Sequence, residues 1–212
     1  MLLNKNKEEN CLDLKYEYPV VEMFHSIQGE GFWCGVNAFF IRLAGCDVFC
    51  PWCDQKETWV MKKYPLFTVE NIVNNLLNIN TKHIIITGGE PLLHNLFPLT
   101  NVLKKQGYIT HLETSGSHPF TGDFDWVTFS PKPYKKTDES IYNHVGELKV
   151  IIDNENDFIF AELEASKIAD NVPKYLQPQW ENPLSKELIF EYILRHPQWR
   201  LSLQTHKFLG VR

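Results

Sequence analysis

The sequence predicts an α/β protein whose parallel strands form an open, partial (β/α) barrel of the TIM-like type. Candidate strands and helices alternate along the 212-residue chain, and this alternation implies a parallel sheet with right-handed crossovers. Most polar clusters directly follow the carboxyl end of a strand, which is the rim where such sheets build their active sites. About six or seven strands can be counted, too few for a closed eight-stranded barrel. No internal repeat or linker divides the chain, so we expect one domain over residues 1–212.

The composition argues against several classes of function. The net charge is −5 and the pI is near 5.9, whereas nucleic-acid-binding surfaces are usually basic. No apolar run reaches the roughly 18 residues that a membrane span needs, and the polar N-terminus lacks a signal-peptide core. We therefore expect a cytoplasmic protein that binds neither nucleic acid nor membrane and keeps its thiols reduced. Residues 1–17 are expected to form a flexible or edge extension, with Cys11 a plain thiol.

The first two predicted strands lead into residues that could bind a ligand. The first, over 19–24, runs into the motif H-S-I-Q-G-E-G. That segment is either a tight turn with a solvated acid or a loop whose backbone approaches a ligand while Gln28 and Glu30 point at it. The second strand, over 38–43, is apolar except for Arg42. This arginine either forms a salt bridge or offers its planar fork to a substrate carboxylate.

A loop with three cysteines follows the second strand. Cys46, Cys50 and Cys53 have the spacing C-x3-C-x2-C, which lets three thiolates bind three irons of a four-iron cluster and leaves one iron open for a ligand. One alternative is a zinc site completed by a histidine, although no histidine lies at a zinc-finger spacing from the loop. Another is a disulfide, which the odd number of cysteines disfavours. Trp52, within the loop, is positioned to shield a cluster from solvent.

The rest of the chain repeats the alternation of helix and strand. Thr68 is the predicted N-cap of the first helix, and Gly107 is the predicted C-terminal cap of the second. The predicted helices cover 69–78, 96–106, 157–168 and 185–195. The predicted strands cover 83–87, 108–112, 126–129, 147–152 and 174–176, with a last strand that ends at 204–206. The motifs at their ends are T-G-G-E-P, E-T-S-G, S-P-K, Q-P-Q-W and Q-T-H, and the glycines among them free backbone groups to contact a ligand.

Taken together, these motifs resemble the 7-carboxy-7-deazaguanine synthases, a family of radical S-adenosylmethionine (SAM) enzymes in queuosine biosynthesis. The resemblance covers nearly all of Val20–Arg212 and is most specific in the leading Q-G-E-G and the closing R-L-S-L-Q-T-H-K-F-L. It implies the radical SAM type of open barrel and a carbon–nitrogen lyase. The family turns 6-carboxy-5,6,7,8-tetrahydropterin into 7-carboxy-7-deazaguanine with loss of ammonia, by way of a deoxyadenosyl radical that abstracts hydrogen from C6.

The resemblance also implies cofactors and partners. A [4Fe-4S] cluster and SAM take part, SAM is regenerated, and Mg²⁺ assists. The cluster ligands would be Cys46, Cys50 and Cys53. The SAM contacts would be Trp52, Cys53, Asp54, Gly88, Gly89, Glu90, Gly116, Ser130, Pro131, Lys132, Gln177 and Pro178. The substrate contacts would be Ile27, Gln28, Gly29, Glu30, Arg42, Thr114, His206 and Arg212, the last through its terminal carboxylate. A homodimer and a flavodoxin-type electron donor complete what the family implies.

One position departs from the family pattern. Many members carry a threonine that binds magnesium after C-x-x-C-D, whereas this chain has Gln55. An amide oxygen also suits a hard cation, but its longer stem would shift the ion, and Thr58 is another candidate ligand. Lys149, in a predicted strand, is either a SAM contact or a partner in a salt bridge.

Two other functions compete with the synthase. An enzyme that activates a glycyl radical on a partner protein would need a surface for a protein loop and often extra cluster cysteines, and only Cys11 and Cys34 are spare. A non-catalytic zinc or iron–sulfur module would leave the polar clusters at successive strand ends without a purpose.

Overall fold

One nine-stranded sheet organises the structure, a computed structural model that describes residues 13–212. The strands are β1 (Glu17–Ile27), β2 (Asn37–Leu43), β3 (Leu66–Thr68), β4 (His83–Gly88), β5 (Ile109–Thr114), β6 (Trp126–Phe129), β7 (Glu147–Ile152), β8 (Lys174–Pro178) and β9 (Trp199–Leu201). Their order across the sheet is β3-β1-β2-β4-β5-β6-β7-β8-β9. From β2 to β9 neighbouring strands are parallel, whereas β1 is antiparallel to both neighbours. The sheet does not close on itself, which confirms the open, partial barrel.

Helices connect the parallel strands as predicted. They are α1 (Val69–Asn74), α2 (Phe97–Lys105), α3 (Asn156–Ala165), α4 (Leu184–Arg195) and α5 (Thr205–Leu209). Short 3₁₀ helices cover Lys56–Trp59, Met61–Lys63, Pro91–Leu93 and Glu139–Asn143. The hydroxyl of Thr68 accepts a hydrogen bond from the amide of Asn71 at 3.1 Å, so the predicted N-cap of α1 is confirmed. Gly107, with φ 81°, follows α2 in the left-handed conformation that such a cap requires.

The amino-terminal part of the sheet extends beyond the predicted strand. Residues 1–12, with Cys11, lie outside the described residues, and β1 already begins at Glu17, opposite Thr68 of β3. β1 continues to Ile27 because its residues from Val20 onward pair with β2. The strand β3 was not predicted, because three residues are too short to show an alternating pattern.

The prediction for the last strand is wrong at its carboxyl end. β9 stops at Leu201, and 204–206 instead lead into the short helix α5. The physical reason is a contact with the loop after β1: both the amide and the hydroxyl of Thr205 donate to the carbonyl oxygen of Gly29, at 2.9 and 3.0 Å. Gly210, at φ 67°, ends this helix in the left-handed conformation.

The apolar core lies between the sheet and the helices, where it includes Ile84, Ile86, Leu112, Leu148 and Leu176. Because successive side chains of a strand alternate between faces, the intervening residues of these strands point to the inside of the curved sheet. That inner face carries polar and charged groups, among them Thr87, Glu113, Lys149 and Gln177. The sheet therefore buries one apolar face under helices and presents a polar face to its own interior.

A loop over residues 28–36, here called the plug loop, fills the amino-terminal end of this interior. Hydrogen bonds between Gln28 and Val36 (2.8 Å) and between Gly35 and Gln28 (2.7 Å) close its base. The ring of Trp33 packs 5.0 Å from His83 and 5.6 Å from Trp126, the first residues of β4 and β6. The plug loop thus fills the amino-terminal end of the interior, and the opposite end lies at the carboxyl ends of the strands.

Candidate active site

The three-cysteine loop lies at the carboxyl end of β2 and forms one wall of a cavity of about 250 Å³. Cys46, Cys50 and Cys53 are free, half-buried thiols that all line it. Backbone hydrogen bonds hold the loop on the barrel rim, from Gly45 to the carbonyl of Thr58 (2.7 Å) and from the amide of Glu90 to the carbonyl of Gly45 (2.8 Å). The structure therefore brings together the three sulfurs that the sequence spacing predicts.

The three thiols could each bind a different iron of one cluster. Among residues 13–212, no three His, Cys, Asp or Glu side chains converge on a point where one ion could bind. The indole N–H of Trp59 is buried without a hydrogen-bond acceptor, and a charged sulfur at Cys53 would supply one. Burial raises the pKa of the Cys53 thiol, while a hydrogen bond from the amide of Gln55 at 3.3 Å acts in the opposite direction. A bound metal would displace that proton.

The T-G-G-E-P motif after β4 forms the floor of the first cavity. Glu90 is 2% exposed and accepts four hydrogen bonds, from the amide of Leu92 (3.0 Å), the hydroxyl of Thr114 (2.5 Å), and the amide (2.8 Å) and hydroxyl (2.5 Å) of Ser115. A carboxylate offers about four lone-pair sites, so a ligand can bond to Glu90 only by displacing one of the hydroxyls. Its orientation is therefore fixed before any ligand arrives.

The two glycines of this motif are required by packing. A Cβ atom on Gly88 would overlap the backbone of Leu43, and one on Gly89 would overlap the carbonyl of Gly45. Close approach of β4 to the cysteine loop thus excludes side chains at both positions.

A second cavity, of about 450 Å³, adjoins the first and is built by β1, β2, the plug loop and the chain end. Seven of the predicted substrate contacts line it, together with Gln55: Ile27, Gln28, Gly29, Glu30, Arg42, His206 and Arg212. A Cβ on Gly29 would overlap the His206 ring, so this glycine allows the histidine to reach the cavity. Burial lowers the pKa of His206, which favours a neutral imidazole.

Arg42 forms one of the two predicted interactions, the salt bridge, and it also lies on the wall of the second cavity. Its Nε lies 2.9 Å from Glu22 in a salt bridge, and the side chain also lines the second cavity. Glu22 is shared with Arg212, whose guanidinium is 2.7 Å away. The two arginines lie 5.9 and 5.4 Å from the ring centroid of Phe24, so two cations face the same end of this cavity.

A buried ion-pair network separates the two cavities. Lys149, 4% exposed, contacts Glu30 and lies 3.0 Å from Glu113. The amide of Gln28 donates to Glu113 at 2.8 Å, and that of Gln204 donates to Glu30 at 2.8 Å. Burial alone would raise the pKa of Glu30, but Lys149 and the amide of Gln204 outweigh burial and lower this pKa to about 2. Burial likewise opposes the charge on Lys149, whereas Glu113 and Glu30 raise its pKa. The pair of Glu30 and Lys149 is therefore ionised at neutral pH.

The other residues that the family resemblance assigns to SAM lie partly in the first cavity and partly around it. Those that line the first cavity are Trp52, Asp54, Ser130, Lys132, Gln177 and Pro178. Gly116 does not line the first cavity. Its φ is 68° and a Cβ there would contact Phe129, so a glycine is needed for the turn of the backbone at this position. Pro131 lines a separate, neighbouring hollow. Thr114, predicted as a substrate contact, faces the first cavity rather than the second.

Several wall residues were not assigned from the sequence. In the first cavity they are Glu113, Ser115, Gln179, Trp180, Gln204 and Lys207. Glu113 could have been recognised from the sequence, because it is the first residue of the strand-end motif E-T-S-G. An ion pair of Lys149 could also have been predicted, because a cation inside an apolar strand needs a buried partner. In the second cavity, Glu22 and Phe24 gave no signal, because their role depends on pairing between β1 and β2.

An open barrel sheet with a three-cysteine loop directly after β2, the first of its parallel strands, defines a radical SAM enzyme. A family model described as the Radical SAM superfamily matches residues 40–125. A 7-carboxy-7-deazaguanine synthase of Synechocystis sp. is 58% identical over 94% of this chain and 96% of its own length. The synthase of Escherichia coli is 34% identical over 92% of this chain and 99% of its own. The chain belongs to the 7-carboxy-7-deazaguanine synthase family.

A solved structure agrees with this assignment. The crystal structure of QueE from Escherichia coli superposes with a TM-score of 0.83 at 31% identity, covering 93% of this chain and 99% of that one. Radical SAM membership implies a [4Fe-4S] cluster and SAM, and the glycyl-radical alternative is not favoured by these relatives. Within residues 13–212, no helix is long and apolar enough to cross a membrane.

Proposed function

We propose that this protein converts 6-carboxy-5,6,7,8-tetrahydropterin into 7-carboxy-7-deazaguanine with release of ammonia, as a step of 7-deazapurine biosynthesis. The observation that carries the proposal is the junction of two cavities, one lined by three thiols and the other by two arginines, at a shared wall of Glu30 and Glu113. A cofactor in the first cavity and a small polar acid in the second would meet at this wall.

The first cavity would hold the cluster and SAM. Cys46, Cys50 and Cys53 would each bind one iron, and the bound cofactors would supply one-electron chemistry that begins with abstraction of a hydrogen atom. Glu90 would bind the amino group of SAM after the hydroxyl of Ser115 turns away, since that hydroxyl has Ser117 as an alternative partner at 3.0 Å. The residues predicted from the family as further SAM contacts would surround it: Trp52, Asp54, Ser130, Lys132, Gln177 and Pro178.

The second cavity would hold the substrate. Arg42 would bind its carboxylate through the nitrogens that Glu22 leaves unpaired. Glu30 would accept N–H groups of the pterin ring, because Lys149 keeps it ionised and the plug loop fixes its position. Gln28 would act mainly by holding Glu113, to which its amide is already bonded at 2.8 Å.

Magnesium, if used, would be bound from the side of Gln55. Its side chain lines the second cavity, and its amide oxygen is a suitable ligand for a hard cation. Thr58 is a poorer candidate, because it is buried and its hydroxyl donates to the carbonyl of Gln55 at 2.7 Å. Gln55→Thr should strengthen the dependence of the rate on Mg²⁺, and an unchanged titration would place the ion elsewhere.

The wider setting follows the family. We propose that residues 1–212 form one domain, that the protein acts in the cytoplasm as a homodimer, and that a flavodoxin-type protein delivers its electron. A reducing compartment suits free thiols and an iron–sulfur cluster alike.

The deciding experiment is an anaerobic assay of the reconstituted protein with dithionite, SAM and 6-carboxy-5,6,7,8-tetrahydropterin. Release of ammonia and of 7-carboxy-7-deazaguanine, with no net loss of SAM, is expected. Cys50→Ala should lose both the four-iron cluster and the activity. Steady consumption of SAM without ammonia would contradict the proposed reaction.

A further inference from the structure

We propose that Lys207 is a positioning residue that makes the binding of SAM and the binding of the substrate cooperative. Its ion pair with Asp54 attaches helix α5 to the three-cysteine loop, and each ligand strengthens this contact by covering it. The inference rests on the proposed function, because it assigns one ligand to each of the two cavities.

Lys207 and Asp54 lie where the two cavities meet. The residues that line both cavities are Glu30, Asp54, Glu113, Gln204 and Lys207. Three of them belong to the buried network described above, whereas Lys207 and Asp54 form a separate ion pair, with Nζ 2.9 Å from Oδ2. Asp54 directly follows Cys53, a proposed cluster ligand, and Lys207 directly follows His206, a proposed substrate contact. The pair therefore joins the segment that would hold the cluster to the segment that would contact the substrate.

Helix α5 depends on a few side-chain contacts for its position, because none of its residues is buried. The hydrogen bonds of Thr205 to Gly29, at 2.9 and 3.0 Å, attach it to the plug loop. The ring of Phe208 packs against Trp180, past the end of β8, with centroids 5.3 Å apart. The ion pair of Lys207 adds the attachment to the three-cysteine loop. Loss of this pair would thus loosen the helix that carries His206 into the second cavity.

The ammonium of Lys207 also contacts the wall of the first cavity. Its Nζ lies 4.9 Å from the ring centroid of Trp180, which lines that cavity, and a cation at this distance is attracted by the face of an indole ring. One ammonium thus contacts the three-cysteine loop and the segment after β8, while its own backbone belongs to α5.

Solvent exposure explains why a ligand would strengthen this contact. The side chains of Lys207 and Asp54 are 21% and 56% exposed, and an ion pair at an exposed site contributes little to stability. A ligand in either cavity would exclude water from the pair, which strengthens the attraction between the charges and makes the loss of one partner more costly. SAM would therefore favour the position of α5 that the substrate needs. By linkage, the substrate would favour SAM to the same extent.

Lys186 provides a matched control. Its ammonium lies near the same two rings, 5.9 Å from the centroid of Trp180 and 5.6 Å from that of Phe208. It lines neither of the two cavities and forms no ion pair with any residue of 13–212. Lys186→Met therefore removes a cation from these rings without changing the junction of the cavities.

The test measures the affinity of the anaerobic holoenzyme for 6-carboxy-5,6,7,8-tetrahydropterin by calorimetry, with and without saturating SAM. The cluster is kept oxidised, so that no turnover occurs. In the wild type, SAM should lower the dissociation constant of the substrate about tenfold. This effect of SAM should disappear in Lys207→Met and stay unchanged in Lys186→Met. Lys207→Arg should largely retain it, because arginine keeps the cation.

Two measurements distinguish this role from a merely structural one. Lys207→Met should keep the iron content and the unfolding temperature of the wild type, because the pair is exposed when no ligand is bound. Asp54→Asn should reduce the effect of SAM as Lys207→Met does. The double variant Asp54→Asn/Lys207→Met should reduce it no further, because both changes remove the same interaction.

Turnover driven by dithionite separates this proposal from the proposed function. A wild type that forms 7-carboxy-7-deazaguanine but binds the substrate equally with and without SAM would overturn the cooperativity and leave the reaction in place. An undiminished effect of SAM in Lys207→Met, or its loss in Lys186→Met as well, would overturn the role of Lys207. Loss of iron or an early unfolding transition in Lys207→Met would assign the residue a structural role instead. If the wild type showed the cooperativity but formed no product, the proposed function alone would be wrong.

Discussion

Arg42 shows how one side chain connects the fold to the site. It lies near the end of β2, where its Nε is 2.9 Å from the carboxylate of Glu22. Its side chain also lines the second cavity. Because Glu22 also has Arg212 at 2.7 Å, loss of Arg42 does not strand a buried carboxylate.

Arg42→Ala should therefore weaken substrate binding rather than the fold. Loss of one charged hydrogen-bonding group predicts a decrease of about 1.5–3 kcal/mol in the free energy of binding, with unchanged iron content. Calorimetry with 6-carboxy-5,6,7,8-tetrahydropterin and with the pterin that lacks the carboxylate tests this. The variant should bind the two equally, and a wild type that already does so would contradict the role of Arg42.

Glu147 predicts a pH dependence of stability that is unusual for an acid. It is 2% exposed and accepts hydrogen bonds from the amide of Phe32 (2.7 Å) and the hydroxyl of Thr128 (2.8 Å). Burial raises its pKa to about 7, although Lys149 acts against this. The folded state thus retains a proton that the unfolded chain loses near pH 4.5. Because of this difference, the free energy of unfolding falls as pH rises from 4.5 to 7, by about 3 kcal/mol in all.

Glu147→Gln should remove this part of the pH dependence, because glutamine does not titrate. Thermal unfolding midpoints of the wild type and the variant, measured between pH 5 and 7.5, should converge at the acid end and differ in slope. Parallel curves would show that Glu147 is ionised in the folded protein throughout this range.

At the scale of single residues, the sequence was informative where chemistry depends on local spacing. The three cysteines and the Gln28–Glu30 segment were singled out from the sequence and line the cavities, because neighbouring residues of one loop stay together in any fold. Glu22, Gln204 and Glu147 were not recognised, because their roles arise from contacts with residues more than 15 positions away. Long-range contacts of this kind have no signature in one sequence.

At the scale of elements, the plug loop depends on Gly31. Its φ is 63°, and a Cβ there would overlap the carboxylate of Glu147, which is itself held by Phe32 and Thr128. Gly31→Ala therefore combines backbone strain with a steric conflict that cannot relax freely.

Gly31→Ala should lower the free energy of unfolding by about 2–4 kcal/mol. Gly35→Ala is the matched control, because Gly35 lies in the same loop at φ 88° and a Cβ there would have no atom within 4 Å. Chemical denaturation should show a clearly smaller loss for Gly35→Ala. Equal losses would mean that backbone strain alone, and not the contact with Glu147, makes glycine necessary.

The elements themselves were largely predictable, because α1 to α4 and β4 to β8 show the periodicities of amphipathic helices and buried strands. The short elements were not. β3 and α5, with three and five residues, exist only through tertiary contacts: β3 through pairing with β1 and α5 through the hydrogen bonds of Thr205 to Gly29. Pairing, rather than propensity, decides such segments.

At the scale of the whole molecule, one network joins the beginning, middle and end of the chain. Lys149 of β7 contacts Glu30 of the plug loop and lies 3.0 Å from Glu113 of β5. Gln204, past β9, bonds to Glu30 as well. The open barrel has no hydrogen bonds between its edge strands, so these side-chain contacts across the interior hold its two ends together. The open architecture was predicted, but from a count of six or seven strands that is wrong, since the sheet has nine. The closure by side chains depends on the three-dimensional fold.

Lys149→Met should consequently destabilise the entire fold, since it leaves two largely buried carboxylates, Glu30 and Glu113, without a cation. Removal of one partner of a buried pair predicts a loss of about 3–5 kcal/mol in the free energy of unfolding near pH 7. In the wild type the pKa of Glu30 is about 2, so its stabilising contribution is present above pH 4.5 and is lost as pH falls toward 2. The difference between Lys149→Met and the wild type should therefore shrink in acid.

Two further variants distinguish the network from a general effect of removing a lysine. Lys104→Met removes a cation that also faces two carboxylates, Asp123 at 2.9 Å and Asp125 at 3.1 Å, but at the surface, and should cost less than about 1 kcal/mol. Adding Glu30→Gln and Glu113→Gln to Lys149→Met should restore much of the lost stability, because no buried charge then remains unpaired. If urea denaturation shows no recovery in the triple variant, the packing of the Lys149 side chain, and not its charge, connects the two ends of the barrel.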